Sequence, residues 1–209
     1  MEQKVDIKDF ISNIPEFLKT EQNQAPWELT SNLKKIIEKI IPTLGTEFKI
    51  ADGIAIHKSV IVEDGVTIKK PFIAMENCRI GANAYFREGV FLAKSVKIGP
   101  CSEIKNSIIC AETAIAHLNY IGNSIIGQNV NFEAGSIAAN HYNERTDKRI
   151  RVKYKGEIID TGVKKFGALV GDNSRIGANA VLSPATILEK KSIVKRLELI
   201  EQLKENQNS

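Results

Sequence analysis

An arginine and a lysine eighteen residues apart, Arg87 and Lys105, a glutamate and a tyrosine seventeen apart, Glu103 and Tyr120, and one nearby histidine, His117, could share chemistry. Two cations held close together repel each other unless an anion sits between them, and a phosphate suits an arginine paired with a lysine. An imidazole, whose ordinary pKa is about 6.5, can take a proton from an ammonium group near neutral pH. An amine needs that step before it can attack a thioester. Each residue alone has a plainer reading, a structural histidine or a solvated ladder of charge, so everything depends on what brings them together.

What brings them together is a period of six. Ile50, Ile56, Val62, Ile68, Ala74, Ile80, Phe86, Leu92, Ile98 and Ile104 keep one apolar register. It continues after two five-residue steps at Ile109, Ile115, Ile121, Ile126, Phe132 and Ala138, and resumes from Val170 to Val194. Six residues fit neither a helix nor an alternating strand, but they suit a solenoid whose sides are short strands, three repeats to a coil. The fifth positions (Val60, Val66, Phe72, Cys78, Ala84, Val90, Val96, Ile108, Ile125, Val130, Ala180) are also small or apolar, so positions one and five are expected to point inward. Gly, Asn, Asp and Lys gather where the chain must turn.

This frame gives the chemical residues places. Arg87 and Lys105 are second positions one coil apart, about 4.8 Å from each other. Glu103 and Tyr120 are sixth positions one coil apart at the adjoining corner. His117 is a third position, outward, and Asn131 falls at a different corner. One subunit cannot bring both corners to one ligand, so sites between subunits of a homotrimer are expected.

The rest of the chain adds elements to the solenoid. Residues 1–45 are expected as a helical cap, with helices over Asp6 to Lys19 and Pro26 to Ile41. The second carries the stripe Trp27, Leu33, Ile36, Ile37, Ile40 and Ile41 behind a first-turn proline. Residues 46–195 form the solenoid domain, interrupted from 140 to 166 by a protruding basic hairpin arm in which Ile150, Val152 and Tyr154 alternate with Arg151, Lys153 and Lys155. Residues 196–209 are expected as a C-terminal helix, its spacing beginning at Val194.

Bulk properties are permissive. Three cysteines and a polar start point to a cytoplasmic protein, no apolar run reaches the roughly 18 residues of a membrane span, and a net charge of +4 calls for no nucleic acid. The histidine spacings supply no metal site, and the chemistry requires no metal.

The segment AHLNYIGNSIIGQNVNFEAGSIAANHY, residues 116–142, resembles the acetyltransferase domain of the bifunctional bacterial enzyme that makes UDP-N-acetylglucosamine. Shared are a H-L-x-Y-x-G stretch and a G-x-N-V-N-x-x-A-G stretch followed by an Asn. The arm's end, DTGVKKFGALVGDN, is similar to C-terminal domains of archaeal sugar-phosphate nucleotidyltransferases. The resemblance covers about half the chain and implies an all-β left-handed parallel β-helix. It also implies roles: His117 as catalytic base, Arg87 and Lys105 on the sugar phosphate, Glu103 near the amine. Tyr120, Asn131 and Asn140 would bind substrate, and Ala134 and Ala178 would line the CoA site, Ala178 replacing a serine. His141 stands where the family has tyrosine. The function implied is an acetyl-CoA-dependent N-acetyltransferase acting on an amino-sugar phosphate. The alternatives are a longer-chain acyltransferase acting on a nucleotide amino sugar, as in lipid A synthesis, and a non-catalytic solenoid scaffold.

Overall fold

The computed structural model describes residues 4–19 and 24–203. From Ile54 onward the chain coils into a three-sided parallel prism, the architecture expected of hexapeptide repeats. One face is a seven-stranded sheet of two-residue strands, among them Lys97–Ile98, Ala114–Ile115, Asn131–Phe132 and Arg175–Ile176. The second and third faces belong to one thirteen-stranded sheet, because Tyr85–Leu92 and Glu103–Ile109 run unbroken through the corner between them.

Inward side chains stack coil on coil into a core of Ile80, Ile98, Ile115, Phe132 and Ile176, closed near the first coils by Phe72 against Phe86 at 5.0 Å. Corners require left-handed backbone, which Asn tolerates better than most residues. Asn77, Asn83, Asn129, Asn173 and Asn179 all sit at positive φ.

The five-residue steps alter the inward set. At the second-to-third-face corner Glu88 and Gly89 lie opposite the single residue Asn106, because Arg87 pairs with Lys105 while Val90 pairs with Ser107. A bulge of this kind absorbs one residue and shifts everything after it. Ile108 and Ile125 therefore point outward, not inward, and Ser107 and Ser124 occupy the buried positions beside them. Their hydroxyls donate to Lys105 O and Gly122 O, at 2.7 and 2.8 Å, so no buried donor is left unpaired.

That shift completes an outward apolar column on the third face: Ile73, Phe91, Ile108, Ile125, Leu169 and Ile187. The long helix Pro26–Ile40 lies along it and buries Trp27, Leu29, Leu33 and Ile37. Burying each such side chain stabilises the fold by about 1.5–3 kcal/mol. The helix thus flanks the solenoid instead of capping its end. An antiparallel strand, Phe48–Ala51, covers the first coil, and Ile50 belongs to it, 44% exposed and outside the solenoid interior.

Three further expectations are corrected. Asp6 to Lys19 is not one helix but a four-residue turn, Ile7–Phe10, and a 3-10 turn, Glu16–Lys19, separated at Ser12–Asn13 and by Pro15, which has no N–H to continue a helix. The arm does not protrude. Its strands Arg151–Tyr154 and Glu157–Asp160 fold back so that Ile150, Val152 and Tyr154 are buried against the N-terminal segment, with Tyr154 5.9 Å from Phe10. At the other end Ile193–Val194 and Leu199–Ile200 are strands, not helix, because the open edges of the preceding coil offer them a ladder, Leu199 pairing with Val181. Residues 204–209 of the expected helix lie outside the described residues.

Candidate active site

The first-to-second-face corner is a column of stacked turns. The carbonyls of Pro100, His117, Ala134 and Ala178 each accept from the turn residue of the next coil, Leu118 N, Gly135 N, Asn179 N and Leu197 N, at 2.9–3.1 Å. His117, Ala134 and Ala178 therefore lie one above another, His117 exposed and the two alanines half-buried. Ala134 and Ala178 put only small side chains in line with the imidazole, and the ion pair of Glu133 with Arg196 lies beside them, Glu133 also accepting from Ala178 N at 2.9 Å.

Tyr120 begins the second face three residues beyond His117 and pairs directly with Glu103, which pairs with Tyr85. Across the same face Gly122 pairs with Lys105 and Lys105 with Arg87, as the eighteen-residue spacing requires. Asn140 is buried at the face's far edge. Its amide donates to Asn123 Oδ1 at 2.6 Å, its oxygen lies 3.2 Å from His141 Nδ1, and it is hydrogen-bonded to the Tyr120 hydroxyl. Gly122 makes this meeting possible: a Cβ there would fall 2.6 Å from the Tyr120 hydroxyl and 2.8 Å from Asn140 Nδ2.

The electrostatics are those of a half-buried charge cluster. Arg87 Nε donates to Glu103 Oε1 at 2.7 Å and its Nη1 to Glu88 Oε1 at 2.8 Å. The other Glu88 oxygen lies 3.3 Å from Lys105 Nζ. Burial is the largest single influence on Arg87 and works against its charge, but Glu103, Glu88 and Tyr120 together outweigh it and raise its pKa. Lys105, whose side chain is only 6% exposed, is lowered, first by burial and then by the cations Lys165 and Arg87, with Glu88 opposing. Burial and the neighbouring Glu103 raise Tyr120, keeping its phenol protonated and able to donate.

Arg87, Glu103, Lys105, Tyr120 and Asn140 thus share one face, and His117, Ala134 and Ala178 share the corner beside it. Asn131 is not with them. It is exposed on the first face, paired with Ala114 and Arg175. Two residues of the cluster carry no motif in the sequence. Glu88 could have been found by counting, since it holds the corner position next to Arg87. Lys165 reaches the cluster only because the arm returns to the solenoid there, which no spacing reveals.

Period, prism and corner stacking define a class of protein, the parallel β-solenoid built of hexapeptide repeats. The family model described as "Hexapeptide repeat of succinyl-transferase" matches residues 76–99 and 167–195. The chain is similar to the bifunctional protein GlmU of Methanococcus vannielii, 33% identical over 175 residues that cover 81% of this chain and 41% of that protein. It is similar to the bifunctional sugar-1-phosphate nucleotidylyltransferase/acetyltransferase of Sulfurisphaera tokodaii, 33% identical over 168 residues, 76% of this chain and 40% of that protein. GlmU of Synechococcus elongatus is 32% identical over 146 residues, 69% of this chain and 26% of that protein. The chain spans less than half the length of each of these relatives.

Proposed function

We propose that the chain is an acetyl-CoA-dependent N-acetyltransferase acting on an amino-sugar phosphate, glucosamine 1-phosphate or a close relative. The observation that carries this reading is the pairing of a desolvated Lys105 with Arg87 on the face where Tyr120 and Asn140 meet, beside the exposed His117 corner. The name of the Sulfurisphaera tokodaii relative supports acetyl transfer and a sugar 1-phosphate.

In this reading Arg87 and Lys105 clamp the acceptor phosphate, and Tyr120, Asn140 and, from a neighbouring subunit, Asn131 orient the sugar. Glu103 holds the amine as an ammonium until the His117 imidazole removes a proton. The amine nitrogen then bonds to the acetyl carbon, the carbon–sulfur bond breaks with its electron pair on the CoA sulfur, and the second proton that the nitrogen sheds passes to that sulfur as CoA thiol is released. The Tyr120 hydroxyl, kept protonated by its burial, can donate to the developing oxyanion. The column of Ala134 and Ala178 would hold the CoA arm next to His117.

Release of CoA thiol, followed with acetyl-CoA and a panel of glucosamine 1-phosphate, glucosamine and UDP-glucosamine, tests the assignment. Turnover with the phosphomonoester is expected. Turnover only with the nucleotide sugar and longer acyl donors would replace this reading with the lipid A type, and no turnover with any amine would leave a binding scaffold.

A further inference from the structure

The anion that two neighbouring cations demand is already supplied by the chain itself. The Glu88 carboxylate bridges Arg87 and Lys105, one oxygen on each, and Glu103 takes the remaining side of the Arg87 guanidinium. With Lys165, whose charge also reaches Lys105, three positive groups face two negative ones. Adding a phosphate monoester of about −1.5 to −2 charges would turn this half-buried cluster net negative, so one carboxylate must give way. Glu88 is the one free to do so. Its side chain is 52% exposed against 33% for Glu103, and among the described residues its ion pairs are only these two.

The backbone holds the carboxylate at this post. Glu88 has φ +61, a conformation unfavourable for glutamate, in the bulge opposite Asn106. The next residue, Gly89, has φ +97, and a Cβ there would lie 3.1 Å from Lys34 Cα of the flanking helix. Helix and bulge fix the main chain, and only the side chain of Glu88 can swing.

We propose that Glu88 occupies the acceptor's phosphate subsite in the free protein and sets its specificity, yielding to a phosphate monoester but not to a diester; the inference rests on the acceptor assignment above. A monoester carries about −1.5 to −2 charges near neutral pH and three terminal oxygens. It outbids a carboxylate of charge −1 for Arg87 and Lys105. A diester, like the phosphate next to the sugar in a nucleotide sugar, carries one charge and gains nothing by the exchange. Glu88 therefore selects sugar phosphates over nucleotide sugars.

The test is a 31P NMR titration of the full chain with inorganic phosphate, and separately with dimethyl phosphate as the diester probe. Glu88→Gln should bind inorganic phosphate about two- to fivefold more tightly, the factor expected for removal of a partly exposed competing ion pair. Its gain for dimethyl phosphate should be larger, so the preference for the monoester narrows. Glu88→Gly, which suits the positive φ, should behave alike, and the gain should vanish in Glu88→Gln/Lys105→Ala. Unchanged or weaker phosphate binding in both Glu88 variants, or a gain that survives loss of Lys105, overturns the proposal. Thiol release is read independently: an inactive chain that still shows the Glu88 gain loses the acetyltransferase reading and keeps the gate, whereas an active chain without the gain loses only the gate.

Discussion

At the scale of single residues, the proposed mechanism divides the labour between His117 for chemistry and Lys105 for binding. His117 projects from a corner, so removing it opens no core cavity, and its loss should be felt in turnover. General-base catalysis is typically worth about a hundred- to ten-thousand-fold, and His117→Ala should lower kcat by that order with an unchanged melting curve. A near wild-type kcat in that variant would move the search for a base to Glu103 or His141. Lys105 is buried against its partners, and Lys105→Ala should chiefly raise the acceptor's KM, by an amount equivalent to about 1.5–3 kcal/mol for a lost charge-assisted bond. Equal affinity for phosphorylated and unphosphorylated acceptor in the wild type would remove the clamp. The eighteen-residue spacing makes the Arg87–Lys105 contact legible in the chain of letters alone, because a solenoid turns sequence distance into stacking. It cannot show the Glu88 bridge, which depends on how a bulge aims one side chain, nor Lys165, which arrives from a non-repeating arm.

At the scale of elements, the helix Pro26–Ile40 is legible from its stripe, but its place is not. The signal for its place lies in the strands: one outward position per coil, from Ile73 to Ile187, is apolar on the third face, whereas outward positions on the first face include Arg79, Lys97 and Arg175. Ile108 and Ile125 conceal this column because the five-residue steps make them look like inward fifth positions. Ile37 is fully buried between helix and solenoid, so Ile37→Ala should destabilise the protein by about 2–5 kcal/mol. Chemical denaturation would measure that loss, and the acceptor's KM should stay within about twofold, since the third face carries none of the site. A large KM change without destabilisation would mean that the helix contributes to the site itself. The arm shows the limit of pattern reading in another way. Its alternation correctly separates Ile150, Val152 and Tyr154 from the charged set, but the charges do not form a free basic face, because Asp147 accepts from both Arg149 and Arg151.

At the scale of the whole molecule, the proposed site would be incomplete in one chain. Asn131 is exposed on the first face, while Tyr120, Glu103 and Asn140 occupy the second, and the side chains of adjacent prism faces diverge. A three-fold assembly would set the first face of one chain against the second face of its neighbour and bring these residues to a common ligand. The surface favours such a contact: Ile193 on the first face and Leu118 and Leu197 at the shared corner are 76%, 64% and 80% exposed. Light scattering should therefore give a mass of three chains of 23.1 kDa each. The decisive measurement is complementation. His117→Ala and Asn131→Ala, each strongly impaired alone, should regain about a quarter of wild-type activity when equal amounts are unfolded, mixed and refolded, because that fraction of boundaries in a random trimer joins an intact His117 to an intact Asn131. A trimer without recovery would place each site within a single chain, and a stable, active monomer would end the shared-site argument altogether.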